Sequence, residues 1–308
     1  MPTPYAYFQG AIVPLSEAKI GVMTHAFNYG TAVFEGIRGN WNEDAQTTYL
    51  FRIREHFERL AQSSKILMLQ LHQSLDELCK LAVEITERSG FTEDIYLRPM
   101  VYLSTEQLGV RLHNLESDTL IFLTPFPAYL PEVARCHTST WRRVDDTGIP
   151  PRAKVTGIYV NSALAKTEAN LNGFDEAIML NADGHVSEGS GENIFMIRGG
   201  KLITPTPADN ILEGITAQSV VELAANELGI ETVQRQIDRS ELYIADEIFM
   251  TGTAAHLTPV TEVDRRVVGD GRAGPITSQL SQLFFDCIRG KNEKYKHWCT
   301  PVRARVAR

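Results

Sequence analysis

A segment in the second half of the chain, residues 152–193, constrains its fold and chemistry more than any other. Lys154 comes early in this segment, after two prolines and among small or β-branched residues, which predicts a strand with the lysine partly desolvated on one face. Desolvation lowers the pKa of an amine, and a neutral amine can attack an aldehyde. Glu188 comes late in the segment and is followed by Gly-Ser-Gly, where a flat ligand can approach the backbone closely.

The residues between these two side chains predict a helix followed by a β-hairpin. We expect the helix over residues 161–172, because Asn161 is a good start signal and Gly173 a good stop signal. A strand over residues 177–180 then turns at Asn-Ala-Asp-Gly, and the return strand leads to Glu188. A lone lysine is usually a surface residue. A lysine that forms a Schiff base, together with an acid that keeps a ring nitrogen protonated, is the minimum for pyridoxal phosphate chemistry.

Length and charge restrict the class of protein. The 308 residues are enough for two domains with substantial cores, and the net charge of −8 argues against nucleic acid or anionic membrane as a general partner. The first ten residues do not resemble a signal peptide, and no apolar run approaches the roughly 20 residues that span a bilayer. The four cysteines are far apart and lack metal-site spacing, so we expect no metal site and a reduced, cytoplasmic protein.

The first half of the chain predicts a hairpin and two helices. The hairpin is expected over residues 7–13. Phe57 belongs to an apolar stripe of one helix, and Arg59 projects away from that stripe, as an exposed arginine would. Ser74 and Glu77 form a capping-box sequence that opens a second helix, which is expected to run to residue 90.

Residues 95–102 predict a strand with a mixed aromatic and basic face. A period of two places Tyr96, Arg98 and Met100 on the same face. An arginine in such surroundings needs an anionic partner if it is buried. Pro99 predicts an edge strand or a bulge, because proline cannot donate to a sheet hydrogen bond.

The rest of the chain continues the alternation of strands and helices. A strand is expected over residues 119–123, and the prolines that follow place a domain boundary at residues 126–136. A helix starting after Gly214 carries Thr216 in its first turn, which suits either a simple helix cap or an anion site. A strand over 245–250 runs into a small-residue turn at 251–255. A helix covers 275–288, and the basic tail, 291–308, is expected to be mobile.

Several of these motifs together resemble a known family. Lys154, Tyr159 and residues 187–193 match, in order and spacing, the fold-type IV pyridoxal phosphate enzymes and, within them, the branched-chain amino acid aminotransferases. Residues 25–38, the Tyr-x-Arg-Pro at Tyr96 and the turn at 251–255 resemble the same family, so that the similarity covers roughly residues 5–290. The resemblance implies an α/β (α+β) fold like that of D-amino acid aminotransferase. A small N-terminal domain (1–125) and a linker (126–136) would precede a large C-terminal domain (137–308), with pyridoxal 5'-phosphate between the domains.

The resemblance also assigns the contacts of this cofactor. Lys154 would be the catalytic lysine that carries it as a Schiff base, and Glu188 would contact the pyridine nitrogen. Arginine suits phosphate because its planar fork donates two parallel hydrogen bonds, and Arg59 would fill that role. The full set of cofactor-binding residues comprises Lys154, Arg59, Glu188, Tyr159, Ile215, Thr216 and Thr253.

The substrate contacts follow in the same way. Phe34 would line the substrate pocket, and the backbone N–H groups of Thr253 and Ala254 would hold the substrate carboxylate. Phe126 stands where family members often carry tryptophan. Tyr29 and Val110 would reach the site of a neighbouring subunit, which implies a homodimer at least, or a hexamer. The full set comprises Phe34, Tyr96, Arg98, Phe126, Tyr159, Thr253, Ala254, Tyr29 and Val110.

The expected activity is transamination between branched-chain L-amino acids (leucine, isoleucine, valine) and 2-oxoglutarate, within the biosynthesis of those amino acids. Small-molecule amino acids and 2-oxo acids are then the partners. A D-amino acid or (R)-amine transaminase, or an enzyme like aminodeoxychorismate lyase, would share the same lysine and acid. A non-catalytic binding protein on this scaffold is a further alternative. It is disfavoured because Lys154, Arg59 and Glu188 are all retained.

Overall fold

The computed structural model describes residues 2–127 and 129–303, which form two compact units. The first unit comprises Met1–Pro127, Ala153–Gly157 and Asp286–Arg308, and the second comprises Ala128–Arg152 and Ile158–Phe285. The chain first passes from one unit to the other after Pro127. The segment with Lys154 and residues 286–303 are grouped with the first unit.

The described residues contain six α-helices and seventeen strands, distributed over the two units. The helices are α1 (His25–Tyr29), α2 (Ile53–Ile66), α3 (Leu75–Ser89), α4 (Tyr159–Leu171), α5 (Ile215–Leu228) and α6 (Pro275–Ile288). The strands are β1 (Tyr5–Phe8), β2 (Ala11–Pro14), β3 (Ala32–Phe34), β4 (Ile37–Asn42), β5 (Thr47–Phe51), β6 (Ile95–Leu103), β7 (Ser117–Pro125), β8 (Ala134–Thr138), β9 (Glu176–Leu180), β10 (Val186–Gly189), β11 (Asn193–Arg198), β12 (Lys201–Thr204), β13 (Thr232–Gln234), β14 (Glu247–Gly252), β15 (His256–Val263), β16 (Arg266–Val267) and β17 (Cys299–Arg303).

The first unit is built on an eight-stranded sheet in the order β17-β5-β4-β6-β7-β1-β2, with β3 also paired to β6. The predicted hairpin is present as β1 and β2. The prediction of a mobile basic tail is wrong for residues 293–303. A 3₁₀ helix, Glu293–Trp298, leads into β17, which pairs antiparallel with β5 along its whole length. Residues 304–308 of that tail lie outside the described residues.

Strand β6 lies in the middle of this sheet, so the prediction that Pro99 marks an edge or a bulge is wrong. On one side β6 pairs with β7 without a break. On the other side it pairs with β4 through Leu97 and with β3 from Met100 onward. Pro99 therefore lies where the neighbouring strand changes, and a residue without an N–H group is tolerated there.

The two long helices of the first unit form as their sequences predict. Phe57 and Leu60 of α2 are fully buried. At the start of α3, the Ser74 side chain accepts a hydrogen bond from the Glu77 N–H, and the Glu77 side chain accepts one from the Ser74 N–H. This capping box satisfies two donors that a helix start would otherwise leave unpaired.

The second unit is built on a nine-stranded sheet in the order β10-β9-β8-β15-β14-β11-β12-β13, with β16 paired to β15. Its core is formed by alternating aliphatic residues of β9, β11, β14 and β15. The predicted hairpin is present as β9 and β10. Helix α4 begins at Tyr159, two residues earlier than expected, and α5 lies where its sequence predicts.

The segment around Lys154 is not a strand, which corrects the sequence-based prediction. Only Val155 makes a bridge, to Val33, and a 3₁₀ helix, Thr156–Ile158, follows at once. Among the described residues, no helix is long and apolar enough to cross a bilayer. The same part of the chain contains no cluster of side chains able to hold a metal ion.

Candidate active site

The backbone of Lys154 is held on both sides by residues of the first unit. Its carbonyl accepts a hydrogen bond from the N–H of Phe34 (3.0 Å), and its own N–H donates to the Ser63 hydroxyl (3.2 Å). The Nζ atom lies 5.0 Å from the centre of the Phe34 ring. The lysine is therefore fixed at its base, and its amine lies over an aromatic face.

A close approach of two glycines supports this segment. Gly30 has a φ of +66°, and a Cβ atom there would lie 2.9 Å from the Cα of Gly157. The Gly30 carbonyl accepts hydrogen bonds from the Thr156 hydroxyl (2.8 Å) and the Gly157 N–H (3.2 Å). Only glycine fits position 30 without displacing the backbone that follows Lys154.

Arg59 is not the exposed side chain that its position on α2 suggested. Its Nε and Nη2 atoms donate to the two carboxylate oxygens of Glu35, at 2.7 and 2.8 Å. The Nδ1 atom of His56 also donates to Glu35, at 2.7 Å. Burial alone would raise the pKa of Glu35, but the charge and hydrogen bonds of Arg59, with the hydrogen bond of His56, outweigh it and hold that pKa well below its usual range. Burial lowers the pKa of His56, so the ring is a neutral donor at neutral pH.

A wall of aromatic rings is formed by Phe34, Tyr96 and Phe126, and the Arg98 guanidinium contacts the first two of these rings. The Cζ atom of Arg98 lies 4.3 Å from the centre of the Phe34 ring and 5.1 Å from that of Tyr96. Arg98 Nη2 donates to the Tyr96 hydroxyl (3.2 Å), and the Tyr96 and Phe126 rings are 5.0 Å apart. The structure thus brings together these four residues and Lys154, which also contacts Phe34.

Tyr29 and Val110 lie side by side at the surface of the first unit. The N–H of Gly109 donates to the Tyr29 hydroxyl (2.9 Å), and His25 Nε2 is 2.6 Å from the Gly109 carbonyl. Val110 is 81% exposed, which is unusual for a β-branched residue. The segments 20–29 and 106–110 meet at the bridge between Thr24 and Glu106, and both carry exposed apolar side chains. These side chains are here called the apolar patch: Ile20, Val22, Met23, Phe27, Tyr29, Leu108 and Val110.

In the second unit, Glu188 is buried and held by three donors. Arg143 Nη2 lies 2.8 Å from its Oε1 atom. Its Oε2 atom accepts hydrogen bonds from the Asn193 amide (3.1 Å) and the Leu212 N–H (3.0 Å). A buried carboxylate needs this kind of compensation, and the three donors fix its orientation.

Two further buried carboxylates lie near Glu188. Glu176 is paired with Lys166 and also accepts the Ala177 N–H at 2.7 Å. Among the hydrogen bonds of the described residues, the Glu192 carboxylate accepts only that of the Gly191 N–H, at 3.1 Å. Burial raises the pKa of Glu192 well above its usual range, and the charge of Glu176 raises it further. Both effects favour the protonated, neutral form of Glu192.

The other site residues predicted for this unit lie at the ends of helices and strands. Tyr159 is the first residue of α4. Ile215 and Thr216 open α5 after Gly214, where a Cβ atom would lie 1.9 Å from the Asn193 side-chain oxygen. Thr253 and Ala254 form the turn between β14 and β15. Thr251 and Gly252 belong to β14 rather than to that turn.

Comparison with known proteins identifies the family. The model of the class IV amino-transferases matches residues 32–263.

The chain belongs to the class IV aminotransferases.

Relatives and solved structures in this family resemble almost the whole chain. A probable branched-chain-amino-acid aminotransferase of Aquifex aeolicus is 50% identical over 97% of this chain and 96% of its own length. A branched-chain aminotransferase of Thermoproteus uzoniensis, solved with norvaline, has a TM-score of 0.93 at 45% identity, covering 97% of this chain and 99% of that one. A branched-chain amino acid aminotransferase of Thermobaculum terrenum, solved in its pyridoxal phosphate form, has a TM-score of 0.93 at 36% identity, with coverage of 98% and 99%. The predicted fold of type IV is confirmed.

The donors of this aminotransferase fit pyridoxal phosphate. Lys154 offers an amine, Glu188 a buried carboxylate for a ring nitrogen, and Arg59 a guanidinium for phosphate. The first turn of α5 follows a glycine, which has no side chain to cap it, so its backbone N–H groups suit an anion.

Four residues that shape this arrangement were not predicted from the sequence. They hold the predicted residues in place: Glu35 and His56 hold Arg59, while Arg143 and Asn193 hold Glu188. Glu35 and Asn193 lie inside the motifs that resemble the family, so their position was the available signal. Arg143 lies in a segment without a recognisable pattern, and nothing in the sequence pointed to it.

Proposed function

We propose that this chain transfers the amino group between branched-chain L-amino acids and 2-oxoglutarate, giving branched-chain 2-oxo acids and L-glutamate. The observation that carries the proposal is that two cationic side chains, Lys154 and Arg98, both lie near the Phe34 ring. Lys154 Nζ lies 5.0 Å from its centre, and Arg98 Cζ lies 4.3 Å from it. An amine for the chemistry, an apolar ring for an aliphatic side chain and a cation for a carboxylate therefore lie together. Relatives named for branched-chain substrates support the same reaction.

The cofactor is pyridoxal 5'-phosphate, which supplies an aldehyde that condenses with amines and a ring that accepts electrons from the α-carbon. Lys154 is the general base that takes the proton from the α-carbon of the substrate. The Glu188 carboxylate holds a proton at the ring nitrogen, and its three fixed donors keep it in one orientation. Arg59, Ile215, Thr216 and Thr253 bind the phosphate, and Tyr159 binds the ring.

The two substrates share one set of contacts for the α-carboxylate and differ at the side chain. Backbone N–H groups at Thr253 and Ala254 hold the α-carboxylate, which leucine and glutamate have in common. Phe34, Tyr96, Phe126 and Tyr159 receive the aliphatic side chain of leucine. Arg98 pairs with the distal carboxylate of glutamate, which would otherwise be costly to bury.

The apolar patch that includes Tyr29 and Val110 supports a homodimer at least, or a hexamer. Contiguous exposed apolar residues are typical of protein–protein interfaces. Phe27 is 68% exposed and lies within this patch, so Phe27→Glu would place a charge in the interface. Light scattering should then give a smaller mass than for the unaltered protein, whereas an unchanged mass would place the interface elsewhere.

We place the enzyme in the cytoplasm, in the biosynthesis of leucine, isoleucine and valine. Its free thiols fit a reducing compartment.

A panel of amino donors tests the proposed reaction. L-leucine, L-isoleucine, L-valine, D-alanine and (R)-1-phenylethylamine are each supplied with 2-oxoglutarate, and glutamate formation is measured. The three branched-chain donors should be the best substrates. Preference for D-alanine or the amine would make the chain a D-amino acid or (R)-amine transaminase. Formation of pyruvate from aminodeoxychorismate would make it a lyase.

A further inference from the structure

Arg38 of β4 is a buried arginine with incomplete hydrogen bonding. It is 4% exposed, and its Nε and Nη1 atoms have no hydrogen-bond partner within the described ranges. Its Nη2 atom lies 3.8 Å from Asp94, which is too long for a hydrogen bond. Burial lowers the pKa of Arg38, although the charge of Asp94 offsets part of this. A cation buried in this way costs free energy, so its presence needs an explanation.

The need to neutralise the charge of Asp94 does not explain why Arg38 is buried. Arg289 already donates to both oxygens of Asp94, Nη2 at 3.0 Å and Nη1 at 3.3 Å. The N–H of Trp41 adds a third hydrogen bond, at 2.8 Å. Asp94 is therefore satisfied without Arg38, and the two arginines around one acid leave one positive charge in excess.

The position of Arg38 on the sheet places this excess charge next to the aromatic wall that contains Tyr96 and Phe126. Arg38 is directly opposite Tyr96 in the pairing of β4 with β6, so the two side chains lie on the same face. Arg98, two residues after Tyr96, shares that face. The Arg38 Cζ atom lies 5.0 Å from the centre of the Phe126 ring, and Phe126 contacts Tyr96. Two guanidinium groups thus flank Tyr96 on one face.

We propose that Arg38 is a specificity-determining residue, whose fixed charge behind Tyr96 and Phe126 favours the substrate with a carboxylate side chain. This inference rests on the proposed function, because it concerns glutamate and 2-oxoglutarate as one of the two substrate pairs. Arg38 acts without touching the substrate, through the positive potential that it adds to that of Arg98. A charge behind an apolar wall is poorly screened by water, and its effect on a substrate without charge in the side chain is small.

The test compares Arg38→Met with the unaltered enzyme in half-reactions with L-glutamate and L-leucine. Methionine keeps apolar contact with Phe126 but removes the charge. We expect kcat/KM for glutamate to fall by about 5- to 30-fold, and that for leucine to change by less than about 3-fold. Arg38→Lys should retain most of the preference for glutamate. Arg54→Met, at a half-exposed position of α2, changes the net charge equally and should alter neither substrate.

Thermal unfolding separates this role from a structural one. Because Arg38 is buried without full hydrogen bonding, its replacement by methionine should leave the unfolding midpoint unchanged or raise it. A large fall in the midpoint, or equal losses with glutamate and leucine, would overturn the proposal. An Arg38→Met enzyme whose preference between glutamate and leucine is unchanged would also overturn the proposal. If the unaltered enzyme itself does not use glutamate, the proposed function fails, and this result is visible before any variant is made.

Discussion

Arg143 and Glu188 form a buried ion pair in the second unit, with Arg143 Nη2 lying 2.8 Å from Glu188 Oε1. Asn193 and the N–H of Leu212 occupy the other carboxylate oxygen. The carboxylate is therefore fixed by protein donors alone. Any ring nitrogen that approaches it meets a group whose charge and direction are already set, and no reorganisation is needed at that point.

Glu188→Gln should slow proton removal from the substrate. The amide cannot hold a proton at the ring nitrogen, and the loss of such an acid–base contribution commonly costs about 10²- to 10⁴-fold in rate. Cofactor should remain bound, because the proposed phosphate contacts are unchanged. Stopped-flow half-reactions with leucine measure the effect. A rate equal to that of the unaltered enzyme would remove Glu188 from the mechanism.

The same substitution also leaves Arg143 as an unpaired buried cation, which should cost about 3–5 kcal/mol of stability. Adding Arg143→Met removes that charge, so the double variant should be more stable than Glu188→Gln alone while remaining slow. This separation of stability from rate distinguishes loss of chemistry from loss of folding. Denaturant unfolding of the two variants provides the comparison.

Lys154→Ala should purify folded and lose covalent cofactor binding together with nearly all transamination. Its fold should survive, because the hydrogen bonds that hold residue 154 are made by its backbone, to Phe34 and Ser63. Borohydride reduction followed by mass measurement should show cofactor attached to the unaltered enzyme and none on the variant. Cofactor attached to another lysine would show that the assignment is wrong.

Local patterns predicted most of the fold. The capping box of α3, the hairpin of β1 and β2 and the limits of α6 all follow from neighbouring residues, and each is confirmed. Predictions were wrong where pairing between distant residues decides the outcome. Pro99 is tolerated in a central strand because of where β3 and β4 meet it, and residues 299–303 form a strand because β5 provides a partner. Neither pairing is visible in the local sequence.

In the candidate site, too, residues in local motifs could be predicted from the sequence, and partners that are distant in the sequence could not. Lys154, Glu188 and Arg98 lie in recognisable motifs and could be singled out. Their supporting residues could not all be found, since Arg143 is far from Glu188 in the sequence and is brought to it only by folding. The helix spacing by itself suggested an exposed Arg59, but Glu35, on a different segment, accepts hydrogen bonds from its side chain. Arg98 was expected to require an anion if buried. Its observed neighbours are the aromatic rings of Phe34 and Tyr96.

Arg98→Ala should separate the two substrates of the proposed reaction. A charge-assisted pair with the distal carboxylate of glutamate is worth about 1.5–3 kcal/mol, so glutamate and 2-oxoglutarate should bind about 10- to 100-fold more weakly. Leucine should change far less, because its side chain needs only the apolar wall. Half-reactions with each amino acid measure the difference. Equal losses would mean that Arg98 binds the shared α-carboxylate or supports the fold.

Glu192→Gln should make the protein more resistant to alkaline pH. Burial and the neighbouring charge of Glu176 raise the pKa of Glu192 in the folded state above its unfolded value. A group of this kind contributes stability that is fully present below the unfolded pKa and is lost as the pH rises through the folded pKa. Glutamine resembles the protonated side chain in shape but cannot ionise. The unfolding midpoint of the variant, relative to that of the unaltered protein, should therefore rise by several degrees between about pH 6 and about pH 9. The control is Ser139→Ala, which removes a hydrogen bond to the partly exposed Glu168 in the same unit. This substitution should shift the unfolding midpoint by similar amounts at both pH values. A difference between the Glu192→Gln variant and the unaltered protein that does not grow with pH would show that Glu192 is already ionised in the folded state, and that Lys166 or another cation compensates its charge.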